Sequence, residues 1–305
     1  MRVAFLGLPL AALLLHSDGH TISIAGLRSG LTTGQRRLIS TIGQRNIVVD
    51  PQNDWTAFRE KLKCIEPDLL VSWFYTRRIP MAVVNECKLG GIGVHPSLLP
   101  RHRGPDPYYA AIDAGDLVSG VTVHRIDENY DTGAVLDQES LNIGPTWNAW
   151  QLAKALDRPS IKLLRRIVRA LADGKAIPAI AQDESMATQA PSPTDDDRVL
   201  RWNRPAQAIV RRIRALAPSP GAVAFIADGA DETEITVSDA AVADVYEVLL
   251  PGEAAVIDGK AVVRAADTGV ALLRGEVDGQ NWCSDDIARR VALSVDVERR
   301  RSCRE

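Results

Sequence analysis

Short apolar runs alternate with helical patterns through the first half of the chain. Val3 to Leu6 is a continuous apolar run closed by Gly7-Leu8-Pro9, and it predicts a strand buried on both faces. Leu10 to Leu15 starts a helix, Thr21 to Ala25 alternates as a strand does, and Ile47 to Val49 predicts a short third strand. Trp55 to Cys64 places Trp55, Phe58 and Leu62 on one helical face. Leu69 to Trp73 and Ile92 to His95 read as two more apolar strands, with a helix opening over Ile79 to Val84 between them. Pro107 to Ala114 reads as helix, and Gly120 to Ile126 and Ala134 to Leu141 as strands. From Trp147 to Asp173 the pattern predicts a long helix or a pair. Leu152, Leu156, Ile161, Leu164 and Ile167 face inward there, with a boundary at Pro159 and a stop at Gly174. Such alternation predicts an α/β fold with a mainly parallel sheet and helices on both faces.

The pattern changes after Gln189 to Asp197, a stretch rich in Pro, Ser, Thr and Asp that reads as a linker. Pro205 to Leu216 is an amphipathic helix carrying Arg211, Arg212 and Arg214. Beyond Pro220-Gly221 come short strands with turn signals between them. They are Val223 to Ile226, Glu234 to Val237, Val245 to Leu250, Ala254 to Ile257, Ala261 to Ala265 and Val270 to Gly275. That spacing suggests a small β-barrel. The chain therefore divides into an α/β domain over 1–188, a linker over 189–204 and a β-rich domain over 205–305. Its charged end, Arg299 to Glu305, is expected to fray.

Composition narrows the picture only slightly. The 305 residues are 46% hydrophobic and carry a formal net charge of -3, which supports real cores and predicts no polyanion partner from the total alone. Cys64, Cys87, Cys283 and Cys303 are scattered without zinc-site spacing, so free thiols in a reducing cytoplasm and no metal are expected. The apolar N-terminus is interrupted by Gly7 and Pro9 and lacks a small-residue cleavage site, which favours a buried strand over a signal peptide. No apolar run approaches the ~18 residues of a membrane-spanning helix, so no membrane partner is expected.

The candidate chemistry lies in Gly93-Val94-His95-Pro96-Ser97-Leu98-Leu99-Pro100-Arg101-His102-Arg103-Gly104-Pro105 and in Asp127-Glu128-Asn129-Tyr130-Asp131-Thr132-Gly133. His95 falls where a parallel strand should end, the edge at which open α/β sheets bind ligands. Asp131 follows another strand, so two loops at one sheet edge bring the pair together. A carboxylate beside an imidazole fixes its tautomer and favours its charged form, which suits proton transfer during acyl transfer to an amine. One His and one Asp also fit a hydrogen-bonded core histidine and a turn aspartate. His124 alternates with Val123, and both a reach into the site and a place in the core or on the surface are open to it.

The pattern His-x-Ser-Leu-Leu-Pro-x-x-Arg-Gly followed by Asp-Thr-Gly resembles the formyltransferase family that uses 10-formyltetrahydrofolate. The likeness extends to Met1–Gly7, to Gln182-Asp183-Glu184 through Ala190 and then Asp197 to Trp202, and to Ile213–Leu216 with Pro220-Gly221-Ala222. It implies a Rossmann-like formyltransferase domain followed by a small OB-like domain. It further implies 10-formyltetrahydrofolate as cosubstrate, His95 as general acid/base and Asp131 as its partner. Ser97, Leu98, Leu99, Pro100, Arg103 and Gly104 would contact substrate, and Trp73, Phe74, Tyr75, Ile79 and Asp127 would hold folate. Arg101, His102 and Arg103 suit an acceptor phosphate.

One position departs from the family, which has asparagine two residues before the histidine where this chain has Gly93. Loss of one oxyanion donor costs about 10²–10³ in rate. A backbone N–H of Gly90–Gly93, a water or Asn129 offers rescue. A diverged one-carbon enzyme or formyltetrahydrofolate hydrolase, and a non-catalytic folate-binding protein, are the other two readings. The expected acceptor is a small amine, a nucleotide amino sugar or a specialised amino acid. Asp228, Asp231, Glu232, Glu234 and Asp239 weigh against tRNA, although Arg211, Arg212 and Arg214 leave a basic patch open. A homodimer is compatible with the sequence.

Overall fold

The computed structural model describes residues 1–30, 32–228, 231–245 and 248–292. Strand β1 (Arg2–Gly7) lies at the centre of a sheet because Val3 to Leu6 are apolar and completely buried. Helix α1 (Pro9–Ser17) opens on Pro9, whose missing N–H costs nothing in a first turn. There follow β2 (Thr21–Leu27), α2 (Gln35–Ile42), β3 (Ile47–Val49) and α3 (Trp55–Ile65), the last capped by Asp54, which accepts from the Ala57 N–H at 2.9 Å. Next come β4 (Leu69–Trp73), α4 (Met81–Val84), β5 (Gly91–His95), α5 (Pro107–Ala114), β6 (Val118–Arg125) and β7 (Val135–Asn142). Helix α6 (Ala149–Ala172) is followed by α7 (Asp195–Arg198), α8 (Ala206–Leu216) and the strands β8 (Ala222–Asp228) and β9 (Asp231–Ala243). The last strands are β10 (Ala254–Ile257), β11 (Lys260–Arg264), β12 (Gly269–Val277) and β13 (Gln280–Cys283), the last of these not expected from the pattern.

The chain forms two units. The first comprises Met1–Pro107, Val118–Asn142 and Lys154–Ala190, and the second comprises Tyr108–Leu117, Ile143–Ala153 and the chain from Pro191 onward. The first unit holds a 7-stranded sheet in the order β3-β2-β1-β4-β5-β6-β7. Pairing is parallel from β3 to β5, and β6 and β7 add antiparallel at one edge. This is the mainly parallel α/β sheet the apolar runs predict. On it Ala4, Leu6, Ile24, Leu70, Phe58 and Leu62 form a core with α3 and α4.

In the second unit the strands follow the antiparallel order β10-β11-β12-β9-β8, with β13 paired to β12. Their inner residues Ile235, Val237, Val263 and Leu272 pack with Ile209 and Ile213 of α8. The expected strand at Val245 to Leu250 is absent at Val245 and over 248–250, and its residues 246–247 lie outside the described residues. The charged end, Arg299 to Glu305, also lies outside them.

Pro159 does not break its helix. An interior proline costs a helix about 3 kcal/mol. Here the apolar face continues on both sides of it, with Leu152, Leu156, Leu163, Leu164, Ile167 and Val168 all buried, so packing holds α6 together. Ile161, expected inside, is only half-buried. Among the described residues no helix is long and apolar enough to cross a membrane.

Candidate active site

Strand register sets the site. In β5 and β6 the cross-strand partners are Gly93 with His124 and His95 with Thr122. Residues two apart on a strand share a face, as do cross-strand partners. Gly93, His95, Thr122 and His124 therefore lie on one face of the sheet. Antiparallel pairing also means that the loop after β6 leaves from the end where β5 begins. The two loops do not start from one sheet edge, as the sequence suggested. Instead the 126–134 loop folds back until Asp131 reaches His95.

Asp131 takes a left-handed backbone, φ 57°, and its Oδ2 lies 3.4 Å from Nδ1 of His95. The same oxygen accepts the Gly104 N–H at 3.0 Å. His95 Nε2 lies 2.8 Å from the carbonyl oxygen of His102. A carbonyl only accepts, so Nε2 carries the hydrogen and Nδ1 turns its lone pair, or a second proton, toward Asp131. The side chain of His95 is 7% exposed and that of Asp131 19%, so the carboxylate is the more open member of the pair.

The loop after His95 is tied down at each step. Ser97 Oγ donates to Arg101 O at 2.6 Å. Thr122, fully buried, donates to Ser97 O at 2.7 Å and accepts the Leu99 N–H at 3.1 Å. Gln138 Nε2 donates to Leu99 O at 2.9 Å and to Thr122 Oγ1 at 2.8 Å. The Leu99–Pro100 peptide is cis. Leu98 packs over Gly120, where an added Cβ would stand 2.5 Å from its Cδ2.

Arg103 was expected to face substrate. Its guanidinium instead pairs with Glu184 at 2.8 Å through both Nη1 and Nη2, and donates to Gln182 Oε1 from Nε at 3.1 Å and Nη2 at 2.8 Å. The Glu184 partner raises the Arg103 pKa further, so its charge is fixed. Gln182 Nε2 in turn donates to the carbonyls of Asp131 and Gly133, each at 2.8 Å. One side chain thus bridges the His95 loop and the Asp131 loop. His102 is buried, with its N–H on Thr188 Oγ1 at 2.8 Å, and Arg101 is exposed.

The residues expected to hold folate lie apart from this cluster in character. Trp73 is buried, its indole N–H on Ser160 Oγ at 3.2 Å, and Ile79 belongs to the sheet core. Phe74 and Tyr75 are half-buried just past the end of β4, and the Tyr75 hydroxyl bonds Gln52 Oε1 at 2.7 Å. Burial pushes the Tyr75 hydroxyl pKa upward, so it stays protonated. Asp127 organises its own turn, with Oδ1 accepting from Thr132 Oγ1 at 2.7 Å and from the Asn129 N–H at 3.3 Å.

Of the donors suggested to replace an asparagine at position 93, the Gly90 N–H is spent on Cys87 O at 2.9 Å. Gly93 sits in the sheet between Ser72 and His124, and Asn129 is exposed. Sequence reasoning missed Thr122, Gln138, Gln182, Glu184 and Thr188 as supports, since none shares a local pattern with His95. It left His124 open, and alternation with Thr122 was the available clue. Among the described residues no group of three or more His, Cys, Asp or Glu side chains could hold a metal ion.

The fold and site define a two-unit α/β protein with a largely buried histidine–carboxylate pair near the carboxyl end of a central strand. The chain belongs to the formyl transferase family: residues 44–168 match the family model described as formyl transferase, and 193–284 match the formyl transferase C-terminal domain. A methionyl-tRNA formyltransferase of Rhodococcus erythropolis is 32% identical over 316 residues, covering 97% of this chain and 99% of that protein. Another from Syntrophomonas wolfei is 36% identical over 167 residues, or 55% of this chain, and that match spans about half of the relative's length, 53%. Among solved structures, an N-formyltransferase from Helicobacter canadensis, in complex with folinic acid and dTDP-3-aminofucose, shares the fold. Its TM-score is 0.66 at 14% identity, covering 90% of this chain and all (100%) of that one.

These relatives overturn the expectation against tRNA, because proteins similar to this chain over nearly their whole length are named for that substrate. The acidic strands were a poor guide because phosphate contact depends on local patches and not on a domain total. The three arginines of α8 each bond within the second unit, Arg212 to a carboxylate and Arg211 and Arg214 to backbone carbonyls. Arg212 pairs with Asp113 at 2.7 and 2.8 Å, Arg211 Nε donates to Asp113 O at 3.2 Å, and Arg214 donates to Pro145 O.

Proposed function

We propose that the chain transfers the formyl group of 10-formyltetrahydrofolate to an amino group, with methionyl-tRNA as the acceptor. The observation that carries the reading is the His95–Asp131 pair, set in a chain that aligns end to end with methionyl-tRNA formyltransferases. The half-buried Phe74 and Tyr75 offer an apolar wall for the flat pteridine, with Trp73 and Ile79 packed in the fold behind that strand end. Asp127 and the bonded loop from Ser97 to Gly104 frame the reacting centre.

In the reaction the amine nitrogen attacks the formyl carbon, and the new C–N bond forms as the carbonyl becomes an oxyanion. One proton leaves the attacking nitrogen. The intermediate collapses, the bond from the formyl carbon to the folate nitrogen breaks, and that nitrogen receives one proton. The His95–Asp131 pair holds the proton in between. Since His95 Nε2–H is engaged with the His102 carbonyl, the moving proton is shared between Nδ1 and the Asp131 carboxylate. Asp131, the more exposed member, meets the substrate side.

The test is incubation of the purified protein with 10-formyltetrahydrofolate and either methionyl-tRNA, a panel of amino sugars and amino acids, or no acceptor. Tetrahydrofolate release and product mass are followed together. Formyl-methionyl-tRNA is the expected product. Formylation of a small amine alone would keep the chemistry and replace the acceptor, formate release without acceptor would make the chain a hydrolase, and folate binding without release would refute transfer.

A further inference from the structure

The second histidine of the site, His124, takes no part in the proton exchange between His95 and Asp131 proposed for transfer. His124 is buried in the middle of β6, directly across from Gly93. A Cβ on residue 93 would stand 2.9 Å from Nε2 of His124 and 3.1 Å from its Cε1, closer than side chains pack. The imidazole therefore occupies the space that any side chain at position 93 would need. From there His124 Nε2 lies 3.6 Å from Oδ1 of Asp131, while His95 Nδ1 lies 3.4 Å from Oδ2 of the same carboxylate.

The two rings are held alike. His124 Nδ1 lies 2.8 Å from Arg125 O, as His95 Nε2 lies 2.8 Å from His102 O. Each carbonyl can only accept, so each ring carries its hydrogen on the outer nitrogen and turns the inner one to Asp131. With both rings neutral, two lone pairs face one carboxylate. A single added proton on either inner nitrogen converts repulsion into attraction, and the common carboxylate couples the protonation of the two rings.

We propose that His124 is a positioning residue of the active site: through Asp131 it shares the proton of the His95 pair, in a place that Gly93 keeps open. The departure of this chain at position 93 is then one half of a paired change, and His124 is the other half. The groups that act electrostatically on His124 are Asp131, His95 and Asp127, and Arg103 acts in turn on both carboxylates. Burial is the largest influence and favours neutral His124, while the two carboxylates favour its charged form. A neutral, buried ring beside a carboxylate is poised to receive a proton and give it back.

The inference rests on the proposed transfer for its catalytic meaning, but its test does not. The full chain has five histidines, few enough to resolve by ring nitrogen–proton NMR. Without folate, His95 should carry its hydrogen on Nε2 and His124 on Nδ1. In Asp131→Asn the His124 ring should take up its proton at lower pH, and in His95→Gln at higher pH. An unchanged His124 titration in both folded variants overturns the proposal. With active protein, His124→Gln should lower kcat about 10–100-fold, change the acid limb of the pH profile and leave the KM for folate within a few-fold. Gly93→Ala should lower kcat in the parent chain but have little effect when added to His124→Ala; equal losses in both backgrounds overturn the coupling. If no acceptor is formylated yet both shifts of His124 are present, the transfer reading fails and the shared proton stands.

Discussion

Asp131 approaches His95 from a loop that begins at the opposite end of β5, and the contact closes at 3.4 Å only because the loop doubles back over the sheet. The bond from Gly104 N–H to the same carboxylate oxygen, 3.0 Å, holds that return in place. The His95–Asp131 pair is therefore a product of two loops and the groups that tie them.

Removing either member should abolish most transfer. His95→Ala and Asp131→Asn are each expected to lower kcat by about 10²–10⁴-fold, the usual worth of a placed acid–base group. Folate affinity should change little, since the pair acts on the moving proton. Single-turnover formyl transfer and equilibrium folate binding check the two parts separately, and a His95→Ala enzyme with parental kcat would refute the assignment.

Gln182 should matter as much as a residue nearer the chemistry. It links Arg103 to the carbonyls of Asp131 and Gly133. Gln182→Ala frees the two loops to shift, and misplacement of a catalytic group by about 1 Å costs on the order of 10²-fold. Steady-state kinetics should show that loss mainly in kcat. A parental kcat would mean the loops hold their geometry without the bridge.

Gly104 is required by its backbone. Its φ is 118°, and an added Cβ would stand 2.9 Å from the carbonyl oxygen of Ala190. Gly104→Ala should destabilise the first unit by about 1–3 kcal/mol. Gly174, at φ 71° with nothing near its Cβ position, provides the comparison: Gly174→Ala should cost only about 1 kcal/mol. Denaturant unfolding of the two variants measures the difference, and equal costs would show that the Ala190 contact yields easily.

The ion pair of Asp18 with Arg165 gives a pH-dependent prediction. Asp18 accepts from Arg165 at 2.7 and 2.5 Å, and these bonds, ahead of charge attraction, hold its carboxyl below the usual range. A carboxyl depressed in the folded state adds stability above its unfolded pKa and loses it as pH falls through the folded value. Asp18→Asn should therefore cost about 1–2 kcal/mol near pH ~7, toward the low end because Arg165 is 42% exposed. The gap should be narrower near pH ~3 than near pH ~7. Urea unfolding at both values checks it, and a pH-independent gap would assign the cost to shape instead of charge.

Much of this protein was legible from local pattern. Leu69–Trp73, Ile47–Val49 and Pro107–Ala114 take the predicted form, because strand and helix identity there depends on the spacing of apolar residues within a few positions. The family was legible from the segment around His95 and Asp131, whose residue types at that spacing are rare by chance. The boundary at Pro159 was misjudged because the cost of one missing hydrogen bond is local, while the apolar face that offsets it is distributed along the whole of α6.

What the tertiary structure decided depends on pairs far apart in the chain. Nothing near Arg103 in sequence indicates that it turns inward to Glu184 and Gln182, and nothing near Gly93 indicates that His124 fills the space beside it. Both follow from which strands pair, in which direction and in which register. An antiparallel β6 sets His124 against Gly93 and sends the Asp131 loop off from the far end, so it must return to His95. Register is fixed by the packing of the whole sheet, and no window of sequence contains it.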